Sequence, residues 1–264
     1  MPTIKLTIVN QGGYTLARSR VGEHVSLVYT AAYQPGDRVA LETDTAPLFC
    51  IVQFEDSMPA ALIYIQNRAL SFHIPPVDNR TNYSPKSFGG TCHLITARLA
   101  SAEEIVMRRC LSFNPYDQHG DNGFFPHASA NVETRNEAVF AARNAIDGIF
   151  ENASHGEYPY QSWGINRDPN AQLTIDFGRP VTVDEVRLTL RADFPHDNFW
   201  ERATVEFSDG SSEIIFLIKT AMTQIFHIAP RTISTAVLKN LIMAHDPSPF
   251  PALTQIEVYG TVAL

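Results

Sequence analysis

Cysteine, lysine and long apolar runs are all scarce in this chain of 264 residues. The three cysteines, Cys50, Cys92 and Cys110, are too few and too scattered for a disulfide framework, and they lack the close pairing of a zinc site. No segment approaches the roughly 18 consecutive apolar residues that a transmembrane helix needs. No basic segment followed by an apolar stretch opens the sequence, so no secretory signal is predicted and the expected location is cytoplasmic.

Negative charge predominates only in the second half of the chain. The sequence has 20 Lys and Arg against 28 Asp and Glu, a net charge of −8. Residues 1–120 hold ten of each sign, whereas residues 121–264 hold ten basic and eighteen acidic residues. An acidic domain repels phosphate backbones, so nucleic acid is not an expected partner. With 44% hydrophobic residues, the chain has ample material for packed cores, which excludes disorder.

Short segments rich in Val, Ile, Leu and aromatic residues, separated by turn signals, occur in both halves. This pattern predicts an all-β protein made of two β-sandwich domains. A polar, turn-rich segment at 116–124 is the predicted linker, between a domain of unknown function at 1–115 and a second domain at 125–264. Within the second domain we expect a short helix at Glu137–Ala145 and a central strand, covered on both faces, at Ile214–Ile218.

Short motifs follow one another in a fixed order through the second half. They are AIDG at 145–148, QSW at 161–163, LTIDFG at 173–178, VDEV at 183–186, FSDG at 207–210 and IEVYG at 256–260. In this order they resemble a discoidin-type domain, as found at the C-terminus of coagulation factors V and VIII and in many bacterial carbohydrate-binding modules. The resemblance implies a galactose-binding-like jelly-roll sandwich with a saccharide site at one end. The first half resembles no family.

The resemblance also implies a structural calcium ion beneath the binding end. Relatives that bind fucose and galactose hold it with an Asn, the aspartate of the Asp-Gly pair, a Ser or Thr before the Trp, and a Glu of the last strand. The matching residues here are Asn144, Asp147, Ser162 and Glu257. A hard cation takes six to eight oxygen ligands, which such a set supplies. The alternative is that Asp147 caps a turn and Glu257 is a solvated strand residue.

The segment 191–201, RADFPHDNFWE, is the strongest candidate for a saccharide-binding loop. A saccharide needs a flat aromatic face against its C–H groups and planar side chains that grip neighbouring hydroxyls. By resemblance, an Arg at a strand end and an Asn seven residues later contact the sugar, and an aromatic residue of a late loop completes the site. The candidate ligand-binding residues are therefore Arg191, His196, Asn198, Trp200, Phe250 and His155.

One departure from the family pattern leaves the preferred sugar open. Many of these modules place a sugar-contacting His directly after the Trp of the QSW motif, where this chain has Gly164. His196 and His155 are the residues available to replace it. The alternative interpretation of the whole 191–201 loop is a buried polar network that braces Trp200 against the sandwich.

Catalysis is not the expected function. Asp193, His196, Asp197 and Glu201 lie in one loop, and nothing in their spacing shows a pair that converges on a reacting atom. The expected function is non-catalytic saccharide binding, with the first domain either orienting the second or contacting another protein. Two alternatives stay open. A protein–protein or surface-adhesion module would present exposed aromatic residues on loop tips, and a glycan-active enzyme would hold two facing carboxylates in a cleft between the domains.

Overall fold

The computed structural model describes residues 1–120, 123–152 and 154–263, and antiparallel β-strands dominate them. The strands of the first half are β1 Ile4–Val9, β2 Thr15–Arg18, β3 His24–Tyr29, β4 Arg38–Thr43, β5 Leu48–Gln53, β6 Ala61–Ile65, β7 Ala69–His73 and β8 His93–Leu99. They are followed by helix α1 Ala102–Val106 and by β9 Arg109–Cys110, β10 Phe124–Phe125, β11 His127–Ala130, β12 Trp163–Gly164, β13 Leu173–Leu190, β14 Trp200–Phe207, β15 Ser212–Phe216, β16 Gln224–Met243 and β17 Ala252–Val262.

The first domain is a sandwich of two sheets. One sheet has the strand order β2-β1-β4-β7, and the other has the order β10-β6-β5-β8-β3. Alternate residues face the space between the sheets, as in β3, where Val25, Leu27 and Tyr29 are buried and their neighbours are exposed. The antiparallel all-β fold predicted for this half of the chain is confirmed.

The second domain is a folded-over sheet whose longest strands take part in both layers. The first part of β13 pairs with β11 and with the end of β16, which in turn pairs with β14. From Val181 onward, β13 pairs with the start of β16 and with β17. One core lies between these two groups of pairings, with Trp163, Phe177 and Leu238 fully buried. The predicted all-β fold with a second sandwich is thus confirmed.

The segment predicted as a linker, 116–124, packs against both domains. The Tyr116 side chain is fully buried in the first core, and its hydroxyl donates to the Pro59 carbonyl at 3.0 Å. Phe124 extends the second sheet of the first domain by pairing with β6. Conversely, β9 lies before the segment in the chain, yet it pairs with β17 of the second domain. Residues 121 and 122 of this segment lie outside the described residues.

Buried polar contacts join the two domains. The Arg143 guanidinium donates to the carbonyls of Pro115 and Asp117, at 2.7 Å each, and lies 4.8 Å from the ring centroid of Tyr83. The Asn82 amide donates to Asn144 Oδ1 at 2.9 Å. These contacts hold the loops of the first domain against the turn that opens the second sandwich.

Two local predictions are wrong for identifiable reasons. Instead of one helix at Glu137–Ala145, two short 3-10 helices, Ala138–Phe140 and Ala142–Ile146, flank Ala141, whose backbone is extended. The first part of the apolar run at Ile214–Ile218 lies on the edge strand β15, which ends at Phe216, and Ile214 and Phe216 are 60% and 72% exposed. An apolar run identifies a strand but not its neighbours in the sheet. No described helix has the length and apolarity to span a membrane.

Candidate functional site

A pocket of about 450 Å³ opens at one end of the second sandwich. The segment between β11 and β12, the turn after β12, the loop between β13 and β14, and the loop between β16 and β17 form its walls. Its lining includes three of the predicted ligand-binding residues together with others that the sequence did not single out. Aromatic and hydrogen-bonding side chains in the lining are Phe140, His155, Asn166, Arg167, His196 and Phe250.

Aromatic rings make one continuous wall of the pocket. The ring centroid of His196 lies 5.9 Å from that of Phe250, 5.5 Å from that of Phe140 and 5.3 Å from that of His155. Phe250 stands between Pro249 and Pro251, and prolines restrict both their own backbone and that of the preceding residue. The half-buried Phe250 ring is therefore presented by a stiff loop.

Planar donors lie over these rings on the solvent side. The Arg167 guanidinium carbon is 4.3 Å from the Phe250 centroid, and the Arg135 guanidinium carbon is 5.5 Å from the Phe140 centroid. Asn166 and Arg167 are both exposed and both have left-handed backbones, with φ of 49° and 60°. The tight turn thus points two hydrogen-bonding side chains at the mouth of an aromatic pocket.

His196 is a buried, neutral member of this wall. Its side chain contacts the Phe250 carbonyl through Nδ1 at 3.2 Å, so Nδ1 donates and Nε2 is left as an acceptor. Burial, reinforced by the positive charge of Arg191, lowers the pKa of His196 to about 4. At neutral pH the imidazole is uncharged and offers hydrogen-bonding capacity without a formal charge.

This burial predicts a pH-dependent stability difference. An unfolded histidine has a pKa of about 6.5, so between that pH and a pH of about 4 only the unfolded state takes up the proton. The stabilisation is therefore complete above pH 6.5 and is lost as the pH falls through this window. In urea denaturation from pH 7 to pH 4, we expect wild type to lose about 3 kcal/mol more than His196→Gln. Equal losses in the two proteins would contradict a buried neutral His196.

Arg191 lies behind the pocket and does not line it. Its guanidinium is fully buried and makes a bidentate ion pair with the Asp193 carboxylate. In this pair Nε donates to Oδ1, and Nη2 donates to Oδ2 at 2.9 Å. Weaker contacts of 3.4 Å reach Ser162 Oγ and His155 Nδ1. In this arrangement the Arg191 side chain has no exposed surface for the predicted direct contact with a sugar. It instead supports the loop that carries His155.

Asn198 and Trp200 are also turned inward. The Asn198 amide donates to the Ser248 carbonyl at 2.6 Å, so it ties together the two loops that form the pocket. Trp200 is fully buried in the core, with its ring centroid 6.4 Å from that of Trp163. It has no exposed face on which a sugar ring stacks. Of the six predicted ligand-binding residues, the structure brings His155, His196 and Phe250 into the pocket and places the other three beneath it.

Several pocket residues are not singled out by the sequence, among them Phe140, Arg135, Asn166 and Arg167. The turn signal INRDPN, directly after the QSW motif and Gly164, marks a loop near the predicted site. It does not reveal which neighbouring loop supplies the ring beneath Arg167. That pairing depends on contacts between residues more than 80 positions apart.

Three of the four residues predicted to hold calcium lie together. Asn144 donates through its amide to the Ser162 carbonyl at 3.3 Å, and Asp147 follows in the same turn. Glu257 points elsewhere, and its carboxylate accepts a hydrogen bond from the Tyr259 hydroxyl at 3.0 Å. The residue of β17 that reaches Asp147 is Gln255, whose Nε2 lies 2.8 Å from Asp147 Oδ1.

The four residues predicted to hold calcium are not brought together as one set, because Gln255 lies beside Asp147 where the resemblance predicts Glu257. Calcium takes oxygen ligands and binds more tightly as carboxylates are added. Asp147 is fully surrounded by protein, and burial raises the pKa of its carboxyl to about 6. Across the described parts of the chain, no three His, Cys, Asp or Glu side chains come together as a metal-binding group. At the position where the resemblance predicts a cation, the oxygens instead face the Gln255 amide N–H group, which is a hydrogen-bond donor.

No protein-family model and no curated protein matches the sequence. Among solved structures, the chain is similar to a chitosan-binding module of a chitosanase/glucanase from Paenibacillus sp. IK-5, at 17% identity over 58% of this chain and 99% of that one, with a TM-score of 0.39. It is similar to the family 32 carbohydrate-binding module of NanJ from C. perfringens in complex with galactose, at 14% identity over 58% of this chain and 99% of that one, with a TM-score of 0.42.

A fucose-binding module of Streptococcus pneumoniae is similar at 13% identity, over 58% of this chain and 96% of that one, with a TM-score of 0.40. The likeness that the sequence motifs predict is therefore also found among solved structures.

Proposed function

We propose that this chain is a non-catalytic carbohydrate-binding protein, and that its second domain holds a saccharide in the pocket against Phe250. The observation that supports this most strongly is the Arg167 guanidinium, stacked 4.3 Å from the centroid of a half-buried Phe250 ring. An aromatic ring with a planar hydrogen-bond donor over it matches the two kinds of surface of a pyranose, whose C–H groups are apolar and whose hydroxyls are polar.

The remaining polar groups of the pocket fit hydroxyl recognition. His196 presents a neutral acceptor nitrogen, and the exposed Asn166 amide offers both a donor and an acceptor. The Arg167 guanidinium is charged and suited to donate to hydroxyl oxygens. No acidic residue in the described lining of the pocket neutralises its charge. The saccharide class that suits this set is a neutral or acidic sugar, and an amino sugar with a free ammonium group would meet repulsion.

The pocket lacks what glycoside hydrolysis requires. Most glycosidases act through two carboxyl groups that flank the scissile bond. Among the described residues that line the pocket, none is Asp or Glu. A separate cleft of about 980 Å³ at the domain junction does hold Glu133 and Glu137, together with the exposed Asp78. There Glu133 accepts the Ala142 N–H at 2.8 Å and Glu137 pairs with Arg135 at 2.6 Å, so both carboxylates have structural partners.

One observation favours a second candidate, a surface-adhesion module. Phe194 is 80% exposed in the loop that also carries His196. An adhesive surface would use this ring directly, and a Phe194→Ser variant would then lose binding to its partner surface. Saccharide binding in the pocket does not require the Phe194 ring, because Phe194 is not among the residues that line it.

For the first domain we propose an orienting role. The buried contacts of Arg143 with Pro115 and Asp117 fix its position relative to the pocket. A second role, contact with another protein, is the alternative.

A glycan panel probed with the whole chain tests the proposed function. We expect wild type to bind at least one saccharide, and Arg167→Ala to weaken that binding about tenfold, since a guanidinium that contacts both ring and ligand contributes about 1–2 kcal/mol. The matched control is Arg202→Ala, an exposed arginine of the same domain that lies on β14 and outside the pocket. If wild type binds no glycan, or if the two variants bind equally well, the proposal is wrong.

A further inference from the structure

The amide group of Gln255 lies at the centre of a cage of oxygens. Its Nε2 is 2.7 Å from the carbonyls of Asn144 and Thr254, 2.8 Å from Asp147 Oδ1 and 3.2 Å from the Ile149 carbonyl. Gln255 is only 2% exposed, so no solvent shares these contacts. An amide NH₂ has two hydrogens, and four acceptors within this range exceed what it can satisfy. Such convergence of oxygens on one point is otherwise typical of a bound cation.

The orientation of this amide is fixed by a neighbouring donor. The backbone N–H of Gly148 donates to Gln255 Oε1 at 3.0 Å. A backbone N–H cannot accept a hydrogen bond, so the atom facing Gly148 is the oxygen and the atom facing the cage is the nitrogen. The polar hydrogens of Gln255 therefore point at the four oxygens.

The charge of the cage is also low. Asp147 is the carboxylate that reaches the Gln255 amide, and its other oxygen accepts a hydrogen bond from Gln161 Nε2 at 3.2 Å. A fixed positive charge is close by, because the Arg143 guanidinium donates to Asn144 Oδ1 at 3.2 Å. One carboxylate beside a guanidinium is a poor electrostatic environment for a divalent cation.

We propose that the Gln255 side chain takes the place of a cation in this cage and makes the binding end of the second domain independent of calcium. The amide ties the turn 144–149 to β17 as a bound ion would. The same turn is tied to the segments that lead to the pocket residues Phe140 and Gly164, since the Asn144 amide donates to the carbonyls of Ala138 and Ser162. The inference is independent of the proposed saccharide function, because its test measures metal binding and stability.

Thermal denaturation with and without calcium tests the inference on the intact chain. We expect the Tm of wild type to be the same in a chelator and in millimolar calcium chloride, and mass spectrometry of the purified protein to find no bound calcium. The Gln255→Glu variant removes the donor and adds a second carboxylate. It is expected to melt below wild type in the chelator and to rise by at least about 3 °C when calcium is added.

The control variant is Gln255→Met, which removes the amide without adding charge. It is expected to melt below wild type and to ignore calcium. A calcium-dependent Tm in wild type, or calcium that copurifies with it, would overturn the inference whether or not either variant folds. A folded Gln255→Glu protein that ignores calcium would overturn the claim that the amide occupies a cation position.

Discussion

Replacing Arg191 with methionine is expected to lower the free energy of unfolding by about 3 kcal/mol. Methionine fills much of the same space, so the loss comes mainly from polar contacts. The guanidinium is fully buried and its partner Asp193 is only 20% exposed in its side chain, so the carboxylate is left without the charge that compensates it. Urea denaturation of wild type and variant at neutral pH measures the difference.

The matched control for this substitution is Arg202→Met. Arg202 is exposed on β14, and such surface changes usually alter stability by less than about 0.5 kcal/mol. If Arg191→Met keeps wild-type stability yet loses saccharide binding, Arg191 contacts the ligand directly and its placement behind the pocket is wrong. Loss of binding together with loss of stability is the outcome that a supporting role predicts.

Replacing Phe250 with alanine is expected to weaken saccharide binding by about tenfold to a hundredfold with little change in Tm. The ring is only half-buried and supplies the apolar face of the pocket, and stacking on such a face contributes about 1.5–3 kcal/mol. The contact between His196 and the Phe250 carbonyl involves the backbone and survives the substitution. The loop keeps Pro249 and Pro251, so its conformation is retained.

Phe216→Ala is the control for this second prediction. Phe216 is 72% exposed on β15 in the same domain and lies outside the pocket. Isothermal titration of the best glycan from the panel gives the dissociation constants of the three proteins. Equal affinities for Phe250→Ala and wild type would show that the saccharide is bound elsewhere.

The fold was largely predictable because its strands follow from local sequence patterns. Alternation in strands such as β3, and the ordered motifs from AIDG to IEVYG, depend on neighbouring residues and predict two all-β domains. The exposure of Ile214 and Phe216 on β15, and the packing of Tyr116 and Phe124 within the predicted linker, were not predictable in the same way. In both, the outcome depends on which distant strand pairs with the segment, as when Phe124 pairs with β6.

The location of the candidate site was predictable, but the direction of its side chains was not. Arg191, Asn198 and Trp200 carry groups that serve either a ligand or a buried network, and only the packed structure shows that they are turned inward. Gln255 and Glu257 lie two residues apart on one strand, so strand periodicity places both on the same face. Which of them meets Asp147 depends on the position of the turn 144–149 along β17, which no local pattern specifies.

The most direct test of saccharide binding in this pocket is to measure which aromatic protons lie next to the bound sugar. Nuclear Overhauser contacts between the best panel glycan and the wild-type chain report such proximity. We expect contacts from the sugar C–H protons to the rings of Phe250 and His196, which line the pocket. Contacts confined to Phe194 at the loop tip, or to Tyr83 and Tyr160 at the domain junction, would contradict the proposed site.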